Sequence, residues 1–296
     1  MTQAPRASAA LRVVAAALAL LSVACTHAPG RQRTPAGAAT IHAIELPSSV
    51  QQGALVIGRA DPAAIVTVGS RRLRISPDGR FAFGIGRDAQ GQVDVTLRSP
   101  GAAETTRAIT VTPRDWPIER IIGAPPDTVK PPAGVTARIE REQARVNAAR
   151  MRDDDRDDYQ QAFAWPVHGR ISGRFGNQRI YVLPDGSESS GAPHSGMDIA
   201  APQGTPVLAP AAGVVTFADP DLYLTGGTVL LDHGHGVSSN FLHLSRIDVR
   251  IGDVVSQGQV IGAVGMTGRA TGPHLHWGMN WFDVRVDPLL VLDRGK

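Results

Sequence analysis

Hydrophobic and polar residues alternate in short runs over most of the chain, which is the pattern of half-buried β-strands. In the first half, turn signals such as Pro77-Asp78-Gly79 separate these runs. In the second half, from Phe163 onward, Gly-rich turns join them. The runs that carry this prediction lie at 54–58, 65–68, 93–97, 213–217, 228–231, 237–242, 259–264 and 275–279. The pattern predicts a mainly β chain, with a β-sandwich over 40–113 and a second β-rich domain over 163–293.

The segment between the two β regions has a different pattern. Residues 135–151 are rich in helix formers, with Ile139 and Val146 on one stripe and Arg138 four residues before Glu142. We therefore expect one helix within a linker over 114–162.

The N-terminus has the features of an export signal. Arg6 and Arg12 precede an apolar run from Val13 to Val23, which is too short to span a membrane and typical of a secretory signal. We predict a signal peptide over 1–25, a Pro/Gly/Ala-rich tether over 26–39, and an exported protein of the cell envelope.

Cys25 is the only cysteine of the chain, so it forms no intramolecular disulfide. The small residue Ala24 precedes it, as in bacterial lipoprotein signals, although Ser22 is less typical of them than Leu. We expect acylation of Cys25 and a lipid anchor in the membrane, with the protein facing the periplasm or wall. Ordinary cleavage nearby is the alternative.

Two short stretches in the second β region contain the residue types of a catalytic zinc site. Such a site usually takes three protein ligands from His and carboxylate and leaves one position for water. On a strand, His274 and His276 share a face, and so would His194 and Asp198. Each pair alone is weak evidence, because an isolated His pair is roughly as often solvated or hydrogen-bonded as metal-bound. The combination predicts a metal site, and the spacing leaves open whether His274 or His276 is the ligand.

Further motifs between Phe163 and Leu292 accompany these residues: Trp165-Pro166, Gly173-Arg174-Phe175-Gly176, Gly204-Thr205-Pro206-Val207, His243-Leu244-Ser245 and Gly265-Met266-Thr267-Gly268. With them the chain resembles the lysostaphin/LytM-type zinc metallopeptidases, which cut peptide bonds in bacterial cell walls. The resemblance implies an antiparallel β-sheet catalytic domain with an open groove floored by one Zn²⁺ per chain. It also implies that His194, Asp198 and His276 are the metal ligands and that His243 and His274 are catalytic.

The expected function follows from this resemblance. It is a zinc-dependent endopeptidase whose substrates are the cross-link or stem peptides of peptidoglycan, with metal-activated water as the nucleophile. Two alternatives remain: a non-catalytic LytM-like regulator that activates a cell-wall amidase, and a family peptidase that acts on a protein substrate. His233 and His235 fall where the family has a turn, and we expect a structural role for both.

Composition adds little to this picture. The 296 residues, with 42% hydrophobic content, suffice for two modest domains that each bury a core. The net charge of +3 favours anionic wall polymers but is common among exported proteins, and it gives no reason to expect nucleic-acid binding. The module over 40–113 resembles immunoglobulin-like domains, for which we expect a spacer role or binding to the wall or to an unknown protein partner.

Overall fold

The computed structural model describes residues 43–293. The predicted signal peptide, the lipid-anchor site at Cys25 and the tether over 26–39 lie outside the described residues. The predicted domain boundaries stay predictions.

The first segment is built from seven strands. They are β1 (Ser49–Gln51), β2 (Leu55–Arg59), β3 (Ile65–Val68), β4 (Arg71–Leu73), β5 (Arg80–Gly84), β6 (Gln92–Arg98) and β7 (Thr105–Thr112). Five of them form a sheet in the order β1-β7-β6-β3-β4, and β2 pairs with β5 in a separate antiparallel pair. The alternating runs predicted β2, β3 and β6, and the chain is mainly β as expected.

The linking segment contains one strand and two α-helices: β8 (Ile118–Ile122), α1 (Pro126–Val129) and α2 (Thr136–Arg150). Two 3-10 turns lie at Ala133–Val135 and Asp158–Gln160. The predicted helix is present as α2, and the Nε of Arg138 lies 2.5 Å from the Oε1 of Glu142. Among the described helices, none is both long and apolar enough to cross a lipid bilayer.

The second β region contains thirteen strands and a terminal helix. They are β9 (Arg170–Gly173), β10 (Gln178–Val182), β11 (Glu188–Ser190), β12 (Met197–Ala200), β13 (Pro206–Leu208), β14 (Gly213–Leu222), β15 (Gly226–Gly234), β16 (Val237–Leu244), β17 (Arg246–Ile247), β18 (Val254–Val255), β19 (Val260–Ala263), β20 (His274–Trp281), β21 (Val284–Val286) and α3 (Pro288–Leu292).

The main sheet runs β18-β14-β15-β16-β20-β12-β9, with β21 paired to β20. All its pairings are antiparallel, and the central strands β15 and β16 are almost wholly buried. A second sheet joins β13, β19 and β17. In a third, β8 from the linker pairs in parallel with β10, which pairs with β11.

The buried hydrophobic residues of both β regions form one continuous cluster. Phe83 of β5 meets Trp281 of β20 edge to face, with ring centroids 6.5 Å apart. A Cβ atom on Gly84 would lie 3.0 Å from the Cβ of Trp281, so the backbones approach closely there. Arg114 and the buried Asp287 add an ion pair with 2.8 Å between Nη1 and Oδ2. The two regions therefore share one core. The expectation from composition, that each region buries a core of its own, is wrong.

This shared core predicts that Phe83→Ala destabilises the entire described unit. Phe83 is fully buried, so its truncation should lower the free energy of unfolding by about 3–5 kcal/mol through lost burial and a residual cavity. Urea denaturation, followed by both near-UV and far-UV circular dichroism, should show one transition at a lower midpoint. The control, Ile122→Ala, truncates a side chain that is 73% exposed and should change the free energy by less than about 0.5 kcal/mol. Two separate transitions, with only one displaced, would contradict the shared core.

Candidate metal centre

Adjacent strands bring the predicted ligands together. In the antiparallel pairing of β12 with β20, Asp198 lies opposite His276. His194 lies just before β12, where its backbone NH donates to the carbonyl of Asn177 over 2.9 Å. His243 lies on β16, which pairs with the other edge of β20.

Three side-chain atoms converge at this place, one each from His194, Asp198 and His276. The Nε2 of His194 is 2.9 Å from the Nδ1 of His276 and 3.1 Å from the Oδ1 of Asp198. The third side of the triangle, from His276 Nδ1 to Asp198 Oδ1, is 2.8 Å. Two imidazole nitrogens and a carboxylate oxygen are the donor set of a three-ligand catalytic metal site.

Hydrogen bonding fixes the tautomer of His194. Its Nδ1 lies 3.0 Å from the carbonyl oxygen of Arg174, which can only accept, so Nδ1 carries the hydrogen. In neutral His194 the Nε2 lone pair then faces the other two atoms. Metal ligands of this kind commonly donate their second N–H to a backbone carbonyl, which orients the ring.

The protonation states also suit a cation. Burial alone would raise the pKa of Asp198, but the imidazoles of His194 and His276 outweigh it and hold that pKa well below its usual value. Burial lowers the pKa of His276 to about 4. At neutral pH the site therefore presents an ionised carboxylate and a neutral His276, which are the forms that bind metal.

Gly196 makes room for this arrangement. A Cβ atom there would lie 2.7 Å from the Nε2 of His276 and 2.5 Å from the carbonyl oxygen of Trp277. That Nε2 atom is buried and has no hydrogen-bond partner among the described residues. In the structure the Nδ1–H of His276 donates to the Asp198 carboxylate over 2.8 Å. The residues present fit a bound metal ion, because the alternative Nε2–H tautomer of His276 would turn an Nδ1 lone pair to the ligand triangle.

His243 and His274 lie beside the three converging atoms and are held in the same manner as His194. Nδ1–H of His243 donates to the Thr267 carbonyl over 2.7 Å, and that of His274 donates to the Gly272 carbonyl over 2.8 Å. In its neutral form, each ring therefore carries its lone pair on Nε2. The two rings are 4.8 Å apart, and the Nε2 of His274 is 3.8 Å from the Oδ1 of Asp198.

His243 has a left-handed backbone conformation, with φ at +63°, which is uncommon for a residue with a side chain. The pairing of β15 with β16 changes register at this point, between Val229 and Gly227. Burial and the neighbouring imidazoles lower the pKa of His243 to about 3, so its ring is neutral at pH 7. The structure thus brings together all five predicted site residues, and their individual roles stay predictions.

Comparison with known proteins identifies this arrangement. The family model "Peptidase family M23" matches residues 192–288. A crystal structure described as a putative peptidase M23 from Pseudomonas aeruginosa is 30% identical, with a TM-score of 0.61 over 83% of this chain and 95% of that one. The chain belongs to peptidase family M23. The resemblance seen in the sequence is confirmed.

Several curated relatives share the M23 region. Peptidoglycan DD-endopeptidase ShyA of Vibrio cholerae is 42% identical over 128 residues, which are 42% of this chain and 29% of that protein. DD-carboxypeptidase/endopeptidase Mpg of Neisseria meningitidis is 42% identical over 125 residues, or 42% and 27% of the two chains. Cell division protein DipM of Caulobacter vibrioides is 36% identical over 138 residues, or 45% and 21%. The chain thus spans less than a third of the length of these relatives.

Arg179 is a residue of this M23 site that sequence reasoning missed. Its Nη2 forms an ion pair with the Oδ2 of Asp198, which leaves Oδ1 directed at the imidazoles. On its other side, the Nε of Arg179 lies 3.7 Å from the Oε2 of Glu119, on β8. Neither residue belongs to a metal-ligand motif, and Arg179 lies on β10, 19 residues before Asp198.

His233 and His235 lie outside the M23 metal cluster. Both nitrogens of His233 are engaged, Nδ1 with the Ala212 carbonyl at 2.7 Å and Nε2 with the Ser239 hydroxyl at 2.8 Å. The ring of His235 packs on Tyr159, with centroids 4.5 Å apart. These contacts give both residues a structural role in this part of the M23 fold.

The contact at Gly196 predicts that Gly196→Ala weakens metal binding by about 10–100-fold, the range seen when the surroundings of a metal ligand are disturbed. The added methyl group would push His276 out of the ligand triangle. Competition with a chromophoric chelator, with Zn²⁺ as the probe, measures the affinity, and circular dichroism checks the fold. In the control, Gly272→Ala, the new methyl group meets no atom within 4 Å and should leave the affinity unchanged. Equal affinities of Gly196→Ala and the unmodified protein would refute this account.

Proposed function

We propose that the chain is a zinc-dependent endopeptidase that hydrolyses peptide bonds of bacterial peptidoglycan. The observation that carries the proposal is the convergence of His194 Nε2, Asp198 Oδ1 and His276 Nδ1 beside two further imidazoles of fixed tautomer. The names of ShyA and Mpg, both endopeptidases, support the substrate class.

His194, Asp198 and His276 would hold the zinc ion. When bound, zinc supplies a water of lowered pKa and a Lewis acid for the scissile carbonyl. Arg179 holds Asp198 in the orientation that such binding requires.

His243 and His274 supply the proton chemistry in this proposal. Each presents an Nε2 lone pair, because its Nδ1 hydrogen is committed to a backbone carbonyl. Such a nitrogen can accept a proton from the attacking water and return it to the departing amine. The M23 site needs these imidazoles because the chain has no His-Glu-x-x-His motif and thus no glutamate base of that kind.

A cavity of about 430 Å³ adjoins the site and is lined by His194, His243 and His276 on one side and by α2 on the other. Its size suits a short extended peptide. We further propose that the enzyme works in the cell envelope, anchored through acylated Cys25. The N-terminal signal pattern supports this location.

Cross-linked sacculi provide the direct test of the substrate. Treatment with the chain from Thr26 onward should lower the amount of cross-linked dimers and raise the amount of monomers over time, because the cross-link peptide is cut. Mass spectrometry of the released muropeptides measures this change and identifies the bond. A chelator should abolish it, and Zn²⁺ should restore it. If the zinc-loaded protein leaves sacculi intact but stimulates a wall amidase, the result would favour the regulatory alternative. If it cleaves only protein substrates, the result would favour a family peptidase that acts on a protein.

Substitutions should separate metal binding from turnover. His194→Ala and Asp198→Ala should lose both zinc and cleavage, because each removes a ligand atom. His243→Ala should keep one zinc per chain and lose about 10²–10⁴-fold in kcat, the usual contribution of a general acid or base. Metal analysis alongside muropeptide release measures both quantities. Zinc loss without loss of cleavage in His194→Ala would exclude the proposed mechanism.

A further inference from the structure

Of the arginines on the cavity wall that take no part in the proposed chemistry, Arg269 is held by the Thr128 carbonyl and the Tyr181 ring, and two others remain. Arg150 is the last residue of α2, and Arg285 lies on β21. Both line the cavity of about 430 Å³ into which His194 and His276 also open. Two separate elements therefore bring guanidinium groups to the space where substrate would lie.

Arg150 is buried to an unusual degree for a cation, at 8% exposure. Its Nη1 donates to the Oδ1 of Asn147 over 3.0 Å, but its Nε has no partner among the described residues. A buried guanidinium with an unused donor is costly unless another group compensates it.

Among the described residues, the side-chain partner of Arg285 is likewise neutral. Its Nη1 donates to the Oδ1 of Asn280, whose Nδ2 donates in turn to the Oδ1 of Asn240 over 3.0 Å. This chain of amides orients the guanidinium without neutralising its charge.

The cavity supplies no counter-ion for either group. Within residues 43–293, no carboxylate forms an ion pair with Arg150 or Arg285. Glu142, the carboxylate among the described residues that line this cavity, is engaged elsewhere, with Arg138 and the backbone NH of Tyr223. The nearby Asp198 pairs with Arg179.

Their electrostatic states agree with this geometry. Burial, and then the charge of Arg285, lowers the pKa of Arg150 to about 9. Burial lowers the pKa of Arg285 to about 10. Both groups are still charged at pH 7, so the cavity wall contains two like charges close enough to repel each other. An anion placed between them would relieve both the repulsion and the loss of hydration.

We propose that Arg150 and Arg285 form a subsite that binds a carboxylate group of the peptide substrate. The assignment of the carboxylate to a substrate rests on the proposed function. Guanidinium groups match the planar geometry of a carboxylate through paired N–H donors, and such charge-assisted bonds strengthen in a partly desolvated cavity. The carboxylate belongs either to a chain end of the peptide or to an acidic side chain, and the two sources can be distinguished.

The subsite gives α2 a part in substrate selection. Arg285 lies within residues 192–288, which match the family model, whereas Arg150 lies outside them. Selectivity for a charged substrate therefore depends on residues of the linking segment as well as on the M23 domain.

The test compares the zinc-loaded full chain with Arg150→Gln, Arg285→Gln and the double variant. The substrates are a purified cross-linked muropeptide dimer and two derivatives, one amidated at the chain end and one at the acidic side chain. For the free acid, kcat/KM should fall about 10–100-fold in the double variant, mostly through KM. The unmodified protein should cut one of the two amidated derivatives slowly, and the variants should cut that derivative at the same rate. That derivative lacks the recognised carboxylate and so shows whether the carboxylate belongs to the chain end or to the acidic side chain.

Arg141→Gln is the matched control, because Arg141 lies on the same helix, is exposed and does not line the cavity. It should behave as the unmodified protein does. Arg150→Lys, which keeps the charge, should recover part of the lost kcat/KM. Equal losses on the acid and both amides, or no loss on any substrate, would overturn the subsite.

A binding measurement separates this inference from the proposed function. Isothermal titration with N-acetyl-D-alanyl-D-alanine and an N-acetylated acidic dipeptide, each with its amide counterpart, requires no turnover. Tighter binding of an acid than of its amide, lost in the double variant, supports the subsite even if no peptide is cleaved. Equal binding of acids and amides, or equal binding by the double variant and the unmodified protein, overturns it even if sacculi are digested.

Discussion

The register between β12 and β20 is the constraint on which the site depends. Asp198 faces His276 across this pair, and a slip of one residue would turn one of the two side chains to the opposite face of the sheet. On the other edge of β20, His276 lies opposite Leu242. In a regular strand the next residue, His243, would point away from His276, and the left-handed backbone at His243 breaks this alternation. The strained conformation therefore serves to bring a further imidazole to the cluster.

Asp198 also connects the candidate metal centre to the linking segment. Its Oδ2 pairs with Arg179, and Arg179 lies between Asp198 and Glu119 of β8. Because β8 pairs in parallel with β10, the strand that carries Arg179, backbone hydrogen bonds set where Glu119 lies. The position of the carboxylate of Asp198, a predicted ligand, thus depends on a strand that precedes the M23 region in the sequence. Interactions of this kind tune both the orientation of a ligand and its affinity for metal.

The sequence was sufficient to predict the five clustered site residues, because strand periodicity and short motifs are local patterns. It also predicted the mainly β fold and the helix α2 through the stripe of Ile139 and Val146. It did not predict the shared core, since alternation shows that Phe83 is buried but not that it packs on Trp281. Arg150, Arg179 and Arg285 were missed for the same reason: an isolated arginine has no sequence pattern, and only tertiary structure shows what surrounds its charge.

Contacts elsewhere on α2 explain how Arg150 can remain beside Arg285 despite their repulsion. Val146 packs in a small cluster with Phe217, Leu222 and Leu230, and Arg145 pairs with Asp219 at 2.9 Å. An exposed ion pair such as Arg145–Asp219 contributes about 0–1 kcal/mol to stability. Burial of the apolar side chains therefore supplies most of the energy that anchors α2. Val146, one of the two stripe residues that predict the helix, therefore also helps to oppose the charge repulsion at its end. Since the same cluster includes β14 and β15 of the main sheet, the M23 domain itself holds α2 over the cavity.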